Sequence, residues 1–215
     1  MEKQVDVLII GAGISGIGLA VHLSKNCPQR KFEILERRES FGGTWDLFRY
    51  PGIRSDSDMS TFGFNFKPWA KDKVLASGAE IKGYLSDVIS ENQLKDKIHF
   101  GHRVLSANYD STKKKWLAEI EGNNKKKQTW SANFVMGCTG YYNYDQGYAP
   151  KFPKQEDFKG QFIHPQHWPE NLDYTGKKVV IIGSGATAIT LVPSMVKGGA
   201  GHVTMLQRSP TYIAT

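Results

Sequence analysis

Apolar residues along this chain switch between two spacings, and the switches outline its elements. Val7-Leu8-Ile9-Ile10 is an unbroken apolar run ending at Gly11, the pattern of a parallel strand buried on both faces. Ile14, Ile17, Gly18 and Val21 then recur at helical spacing as far as Pro28, which cannot continue a helix. Phe32-Glu33-Ile34-Leu35-Glu36 supplies a second strand. The same succession returns late in the chain, as a strand at 179–182, a helix at 186–197 and a strand at 203–207. Between the two copies, Ile81, Tyr84, Leu85, Val88 and Ile89 mark an amphipathic helix. Residues 104–109, 115–121 and 128–135 predict a three-stranded antiparallel meander. Phe134-Val135-Met136-Gly137 is expected as a buried strand leading into Cys138-Thr139-Gly140. Residues 141–175 are rich in Tyr, Pro and Gly without helical periodicity, the composition of a connector, with a domain boundary expected near Tyr144.

Each strand-to-helix junction is a glycine-rich turn. The first is Gly11-Ala12-Gly13-Ile14-Ser15-Gly16 and the second is Gly183-Ser184-Gly185-Ala186-Thr187-Ala188. A G-x-G-x-x-G/A pattern between a strand and a helix, followed by a second strand, points to dinucleotide binding. Glu36 follows Gly11 by 25 residues, and Arg208 follows Gly183 at the same interval. An acid at that place accepts hydrogen bonds from ribose hydroxyls, whereas an arginine there can hold a 2′-phosphate. The simplest reading is FAD at the first turn and NADPH at the second. The fold class is therefore α/β, with two Rossmann-like dinucleotide-binding domains, the FAD domain carrying the meander. Expected boundaries are 1–144 for the N-terminal part of the FAD domain, 145–175 for the linker and 176–215 for the start of the NADPH domain. A single βαβ unit does not complete a nucleotide domain, so the NADPH domain is read as truncated.

Composition narrows the partners. The 215 residues carry a net charge of +7, partly in Lys113-Lys114-Lys115 and Lys125-Lys126-Lys127. Both runs flank turn compositions, so they read as solvated hairpin tips rather than a nucleic-acid surface. Only Cys27 and Cys138 are present, without metal-ligand spacing, which fits reduced thiols and no metal site. The N-terminus shows no signal-peptide pattern. No apolar stretch approaches the roughly 20 residues that span a bilayer. A cytoplasmic protein is expected, with peripheral membrane association and oligomeric state left open.

The connector holds the most specific signal. Phe158-Lys159-Gly160-Gln161-Phe162-Ile163-His164-Pro165-Gln166-His167-Trp168-Pro169 matches F-x-G-x-x-x-H-x-x-x-W-P, and this resembles the fingerprint of flavin-containing monooxygenases in their Baeyer–Villiger form. Gly42-Gly43-Thr44-Trp45-Asp46, the stretch 49–56, Gly140-Tyr141-Tyr142-Asn143-Tyr144 and the stretch 207–212 also look like this family. The resemblance covers essentially the whole chain and is nearest to the branch of ethionamide-activating and long-chain-alkane monooxygenases, whose members are more than twice as long.

The resemblance implies roles for individual residues. Gly11, Gly13, Ser15 and Gly16 would seat the FAD pyrophosphate, and Glu36 the adenosine ribose. Thr44, Trp45, Asp46 and Leu47 would line the flavin side, with Val104 beside the adenine. Asp56 would be a catalytic acid beside the flavin that contacts cofactor and orients an arginine; a cap in Ser55-Asp56-Ser57-Asp58 is the alternative. Arg54 and Ser55 would face NADPH. Gly183, Ser184, Gly185, Ala186, Thr187 and Ala188 would cradle its pyrophosphate, while Gln207 and Arg208 read the 2′-phosphate. His164 is expected to couple the domains rather than transfer protons, and Trp168 to pack the linker. Trp45 stands where related disulfide reductases carry a redox cysteine after Gly-Gly-Thr, which disfavours that activity.

The reaction implied is FAD- and NADPH-dependent oxygenation by dioxygen through a C4a-peroxyflavin. The substrate would be a small apolar ketone, or a sulfide or thioamide. The arginine that would stabilise the peroxide is expected beyond Thr215. The alternative is a catalytically incomplete cofactor-binding fragment.

Overall fold

The apolar runs become strands wherever neighbours can cover them. A computed structural model describes residues 3–212. In chain order the elements are β1 (Lys3–Ile10), α1 (Ile14–Asn26), β2 (Phe32–Leu35), α2 (Thr44–Leu47), α3 (Met59–Phe62) and α4 (Gly78–Glu91). They continue with β3 (Ile98–His99), β4 (Arg103–Asp110), β5 (Lys115–Glu121), β6 (Lys127–Gly137), β7 (Lys178–Ile182), α5 (Ala186–Lys197) and β8 (His202–Leu206). The chain divides into two compact units. One is Met1–Asp46 with Ile81–Tyr142, and the other is Leu47–Glu80 with Asn143–Thr215.

The first unit is built on a six-stranded mixed sheet in the order β3-β2-β1-β6-β5-β4. β1 is flanked by parallel partners on both edges, Val7 opposite Phe32 on one side and Phe134 on the other. β6 joins the two halves, parallel to β1 and antiparallel to β5. The meander of β4, β5 and β6 is as the alternation predicts. Central position explains the continuous apolar run: Leu8 and Ile9 are fully buried. Val5, Leu8, Leu35, Ala118, Ile120, Trp130 and Ala132 form one core cluster. At about 1.5–3 kcal/mol for each large apolar side chain fully buried, this cluster holds the first turn on a fixed sheet. The lysine-edged turns lie at hairpin tips, where Lys114 and Lys125 take positive φ.

One expectation is corrected here. Phe134-Val135-Met136-Gly137 is not a separate buried strand but the second half of β6, with Phe134 64% and Met136 40% exposed. β6 pairs with β5 only as far as Ala132. Beyond it, Phe134 and Met136 line an open apolar groove along α1 with Leu19 and Leu23.

In the second unit, β7 and β8 form a two-stranded parallel sheet covered by α5. Burial along β7 alternates, so Val180 and Ile182 are exposed although the sequence run is as apolar as that of β1. Leu47, Phe48, Tyr50, Leu191 and Met195 make this unit's core, with Ile53, Trp168, Tyr174 and Val179 packed around it. Within the long connector, two 3-10 turns form, at Gln155–Asp157 and at Pro165–His167, and the second is capped by the His164 side chain, which accepts from the Gln166 amide.

Candidate functional site

The first glycine turn is shaped by close approach. Gly11 leaves β1 at φ +108°, and a Cβ there would lie 2.5 Å from the Cys138 carbonyl oxygen. A Cβ on Gly16 would come within 1.9 Å of the Gly11 oxygen. Any side chain at either place collides with backbone. Gly13 begins α1 without a side-chain cap, and no acid occupies the first helical turn. The amides at that end, with the exposed Ser15 beside them, form a seat suited to an anion.

Glu36 is buried at the end of β2. Its Oε2 accepts the Ala12 amide at 2.9 Å, and its Oε1 accepts the Arg38 amide at 2.9 Å. Each oxygen retains acceptor capacity for a ribose hydroxyl. Two further amide bonds hold its backbone, from Glu36 to the His99 oxygen and from His102 to the Glu36 oxygen.

The loop before α2 returns to this turn. The Gly42 amide donates to the Ala12 oxygen at 2.9 Å, and Gly43 Cα lies 3.7 Å from where a Gly13 Cβ would be. Thr44 and Trp45 are half-buried there, and Val104 on β4 is also half-buried. Asp46 differs from its neighbours. It is buried, and both of its oxygens face cations, Oδ2 the Arg38 guanidinium at 2.6 Å and Oδ1 the Lys82 ammonium at 2.5 Å. Burial pushes its carboxyl up, but the hydrogen bonds and charges of Lys82 and Arg38 outweigh this and hold it below the ordinary carboxylate range.

The second turn is more open. Gly183 has φ +122°, yet a Cβ on Gly183 or Gly185 would meet nothing within 4 Å. Ala188 takes the third glycine position and is buried. Gly185 begins α5 without a side-chain cap or first-turn acid. The Ser184 hydroxyl donates to the Ser209 oxygen at 2.9 Å, and Thr211 donates to the Ser184 hydroxyl at 2.9 Å. These bonds fold the segment after β8 back over the turn, with Gln207 and Arg208 exposed beside it.

Leu47, Arg54, Ser55 and Asp56 belong to this second unit. Leu47 is in its core. Gly52 rides on α5, where a Cβ would lie 2.5 Å from the Thr190 oxygen. Arg54 is exposed. Ser55 is buried, and its hydroxyl donates to the Ser57 oxygen at 2.7 Å. Asp56 is exposed, and the cap of α3 is Asp58, which accepts the Thr61 amide at 2.9 Å. His164 packs on Gly147, and Trp168 on the Leu47 cluster.

Sequence reasoning missed Arg38 and Lys82 as partners of Asp46, and Gln166, which is buried and donates to the Asn143 oxygen at 2.7 Å. Arg38 lies close to Glu36 in sequence, a signal that could have found it. Lys82 falls on the polar side of an amphipathic helix and carries none.

Both cysteines are free. Among the described residues, no group of three His, Cys, Asp or Glu side chains could hold a metal, and no helix is long and apolar enough to cross a membrane.

Comparison with known proteins places these features in a family. The family described as "Pyridine nucleotide-disulphide oxidoreductase" matches residues 8–214. The whole chain is 99% identical to 43% of a protein of Acinetobacter sp named "Probable FAD-binding monooxygenase AlmA". It is 57% identical to 44% of the "FAD-containing monooxygenase EthA" of Mycolicibacterium smegmatis. The chain thus spans less than half the length of these curated relatives. Among solved structures, cyclohexanone monooxygenase from Rhodococcus sp. Phi1 bound to NADP+ is similar over 99% of this chain and 39% of its own, with 28% identity and a TM-score of 0.83. The chain belongs to the pyridine nucleotide-disulphide oxidoreductase family, among relatives named as FAD-containing monooxygenases.

Proposed function

We propose that this chain is the nucleotide-recognition part of an FAD- and NADPH-dependent monooxygenase, with FAD at the first glycine turn and NADPH at the second. The carrying observation is the chemical difference between two otherwise matched turns, a buried Glu36 beside one and an exposed Arg208 beside the other. The residues present fit the two groups. Gly11 and Gly16 let backbone close on backbone where any Cβ would collide, which leaves the turn's amides facing outward, and both helices begin without a competing acid. Similarity to monooxygenases named for FAD, and to a structure bound to NADP+, supports the pairing.

When bound, FAD and NADPH supply hydride transfer and the activation of dioxygen. The chain's part is placement. The turn at Gly11, Gly13, Ser15 and Gly16 fixes the FAD pyrophosphate, Glu36 accepts from its ribose, and Val104 sits beside its adenine. Thr44, Trp45, Asp46 and Leu47 shape the flavin side, where Trp45 offers no thiol for disulfide exchange. Gly183, Ser184, Gly185, Ala186, Thr187 and Ala188 seat the NADPH pyrophosphate, and Gln207 and Arg208 select the 2′-phosphate. Arg54 and Ser55 belong to the NADPH side; Ser55 acts through the turn it holds, since its hydroxyl bonds Ser57. The exposed Asp56 is left to meet cofactor and orient an arginine, because Asp58 supplies the helix cap. The substrate class is a small apolar ketone, sulfide or thioamide, and a cytoplasmic setting fits the unpaired thiols.

The test loads the protein with FAD, adds NADPH without oxygen and follows loss of the yellow flavin band, then admits dioxygen with cyclohexanone. Bleaching by NADPH followed by lactone formation is expected of the complete activity. Bleaching without lactone identifies a cofactor-binding fragment. Failure to retain FAD, or reduction of a disulfide substrate, overturns the reading.

A further inference from the structure

Asp46 is placed among the residues of the flavin side, yet its hydrogen-bonding capacity is directed elsewhere. Arg38 reaches Oδ2 through Nη2 at 2.6 Å and Nε at 3.2 Å, and its Nη2 also donates to the Asp46 carbonyl oxygen at 3.3 Å. Lys82 on α4 takes Oδ1 at 2.5 Å. The backbone of Arg38 is occupied at both ends: its amide donates to Glu36 Oε1 at 2.9 Å, and its carbonyl accepts the Gly101 amide at 3.1 Å. Glu36 accepts the Ala12 amide, and the Ala12 carbonyl accepts the Gly42 amide. Gly42 lies only four residues before Asp46. The contacts therefore close into a ring, from Ala12 to Glu36, Arg38, Asp46 and Gly42 and back to Ala12.

Lys82 attaches the ring to α4. Its aliphatic stem passes 3.6 Å from where a Gly42 Cβ would stand, and its ammonium lies 5.6 Å from the Phe41 ring centroid. The buried Asp46 carboxylate thus pairs with two cations, Arg38 on one oxygen and Lys82 on the other. Remove Lys82, and a buried carboxylate loses one of its two paired cations, a cost that the loop would relieve by moving toward water.

We propose that Arg38, Asp46 and Lys82 form a positioning clamp that presets the gap between the first glycine turn and the Gly42–Gly43 loop, so that FAD affinity depends on Lys82. This inference rests on the reading that FAD occupies the first turn. Asp46 then serves the cofactor by closing the ring, and Lys82 and Arg38 are positioning residues.

The experiment measures FAD affinity of the apo-protein by quenching of flavin fluorescence, for the unaltered chain and for Lys82→Met and Lys82→Arg. NADPH affinity and thermal melting of the apo-proteins are recorded alongside. Lys82→Met keeps most of the length of a side chain that is itself 34% exposed, and the melting curve reports whether it folds. The expected result is FAD binding at least tenfold weaker in Lys82→Met and recovered to within threefold in Lys82→Arg, with NADPH affinity unchanged. FAD affinity within twofold in Lys82→Met overturns the clamp while leaving the cofactor reading intact. A parallel fall in FAD affinity, NADPH affinity and melting temperature, without rescue by Lys82→Arg, also overturns it by showing general damage. An unaltered chain that takes up no FAD overturns the cofactor reading and the clamp together.

Discussion

Two strand–turn–helix–strand units in this chain share their order and the 25-residue interval from first glycine to Glu36 or Arg208, yet they differ in burial and close contact. The first sits at the centre of a six-stranded sheet; the second is a sheet of two strands. Leu8 and Ile9 on β1 are fully buried, while Val180 and Ile182 on β7 are 61% and 50% exposed. At the first turn Gly11 and Gly16 are required by contact with backbone. At the second the space around Gly183 and Gly185 is open, and alanine fills the third position. The first diagnostic residue, Glu36, is buried and held by two amides, and the second, Arg208, stands in solvent. Local sequence thus suffices to form the turn and its helix, and neighbouring strands decide how deeply the strand before it is buried.

Substitutions in matched positions sharpen this contrast. Leu8→Ala should cost about 3–4 kcal/mol of stability, as for deletion of a fully buried leucine side chain. Val180→Ala should stay within about 0.5 kcal/mol, as at an exposed site. Urea denaturation of the pair checks it, and equal losses would mean that β7 is as well covered as β1.

Asp46→Asn should cost about 2 kcal/mol at neutral pH, a figure reduced because Arg38 and Lys82 are both partly exposed. The second unit has no matching buried charge cluster among its described residues. Because the folded protein holds the Asp46 carboxyl below its ordinary value of 3.8, its contribution is complete above that value. It is lost as pH falls through the lower folded value. The stability gap between the parent and Asp46→Asn, followed by thermal melting, should therefore narrow only below pH 3.8. A gap that closes near neutrality would contradict the ion-pair account.

Gly16→Ala places a Cβ against the Gly11 carbonyl and should cost about 1–3 kcal/mol of stability, the usual cost of overpacking, with weaker FAD binding as the turn shifts. The reciprocal change in the second turn, Ala188→Gly, should lower stability by only about 0.5–1 kcal/mol through helix entropy and leave NADPH binding nearly unchanged. Calorimetric titration of each variant compares the two directly.

The boundaries of α1, β5, α5 and the meander were legible because apolar period and turn chemistry agree there, whereas β1 begins at Lys3, four residues before its apolar run. The outward face of β6 was not legible, since Phe134 and Met136 look apolar in sequence and only pairing shows where β5 stops. The same applies to Asp46. The family resemblance implies a place beside the cofactor, but Lys82 lies 36 residues away, and no local pattern reports a long-range ion pair. Asp58 was within view as a cap beside Asp56, because a Ser-Asp-Ser-Asp stretch satisfies helix capping at more than one register.

The most direct test of two turns with two different nucleotides is a crossed titration of Glu36→Gln and Arg208→Ala with FAD, NADPH and NADH. Glu36→Gln should weaken FAD and leave NADPH affinity unchanged. Arg208→Ala should leave FAD unchanged and weaken NADPH by about 1.5–3 kcal/mol, the worth of a charge-assisted phosphate contact, with little effect on NADH. Equal losses of NADPH and NADH in Arg208→Ala, or loss of NADPH in Glu36→Gln, would contradict the assignment.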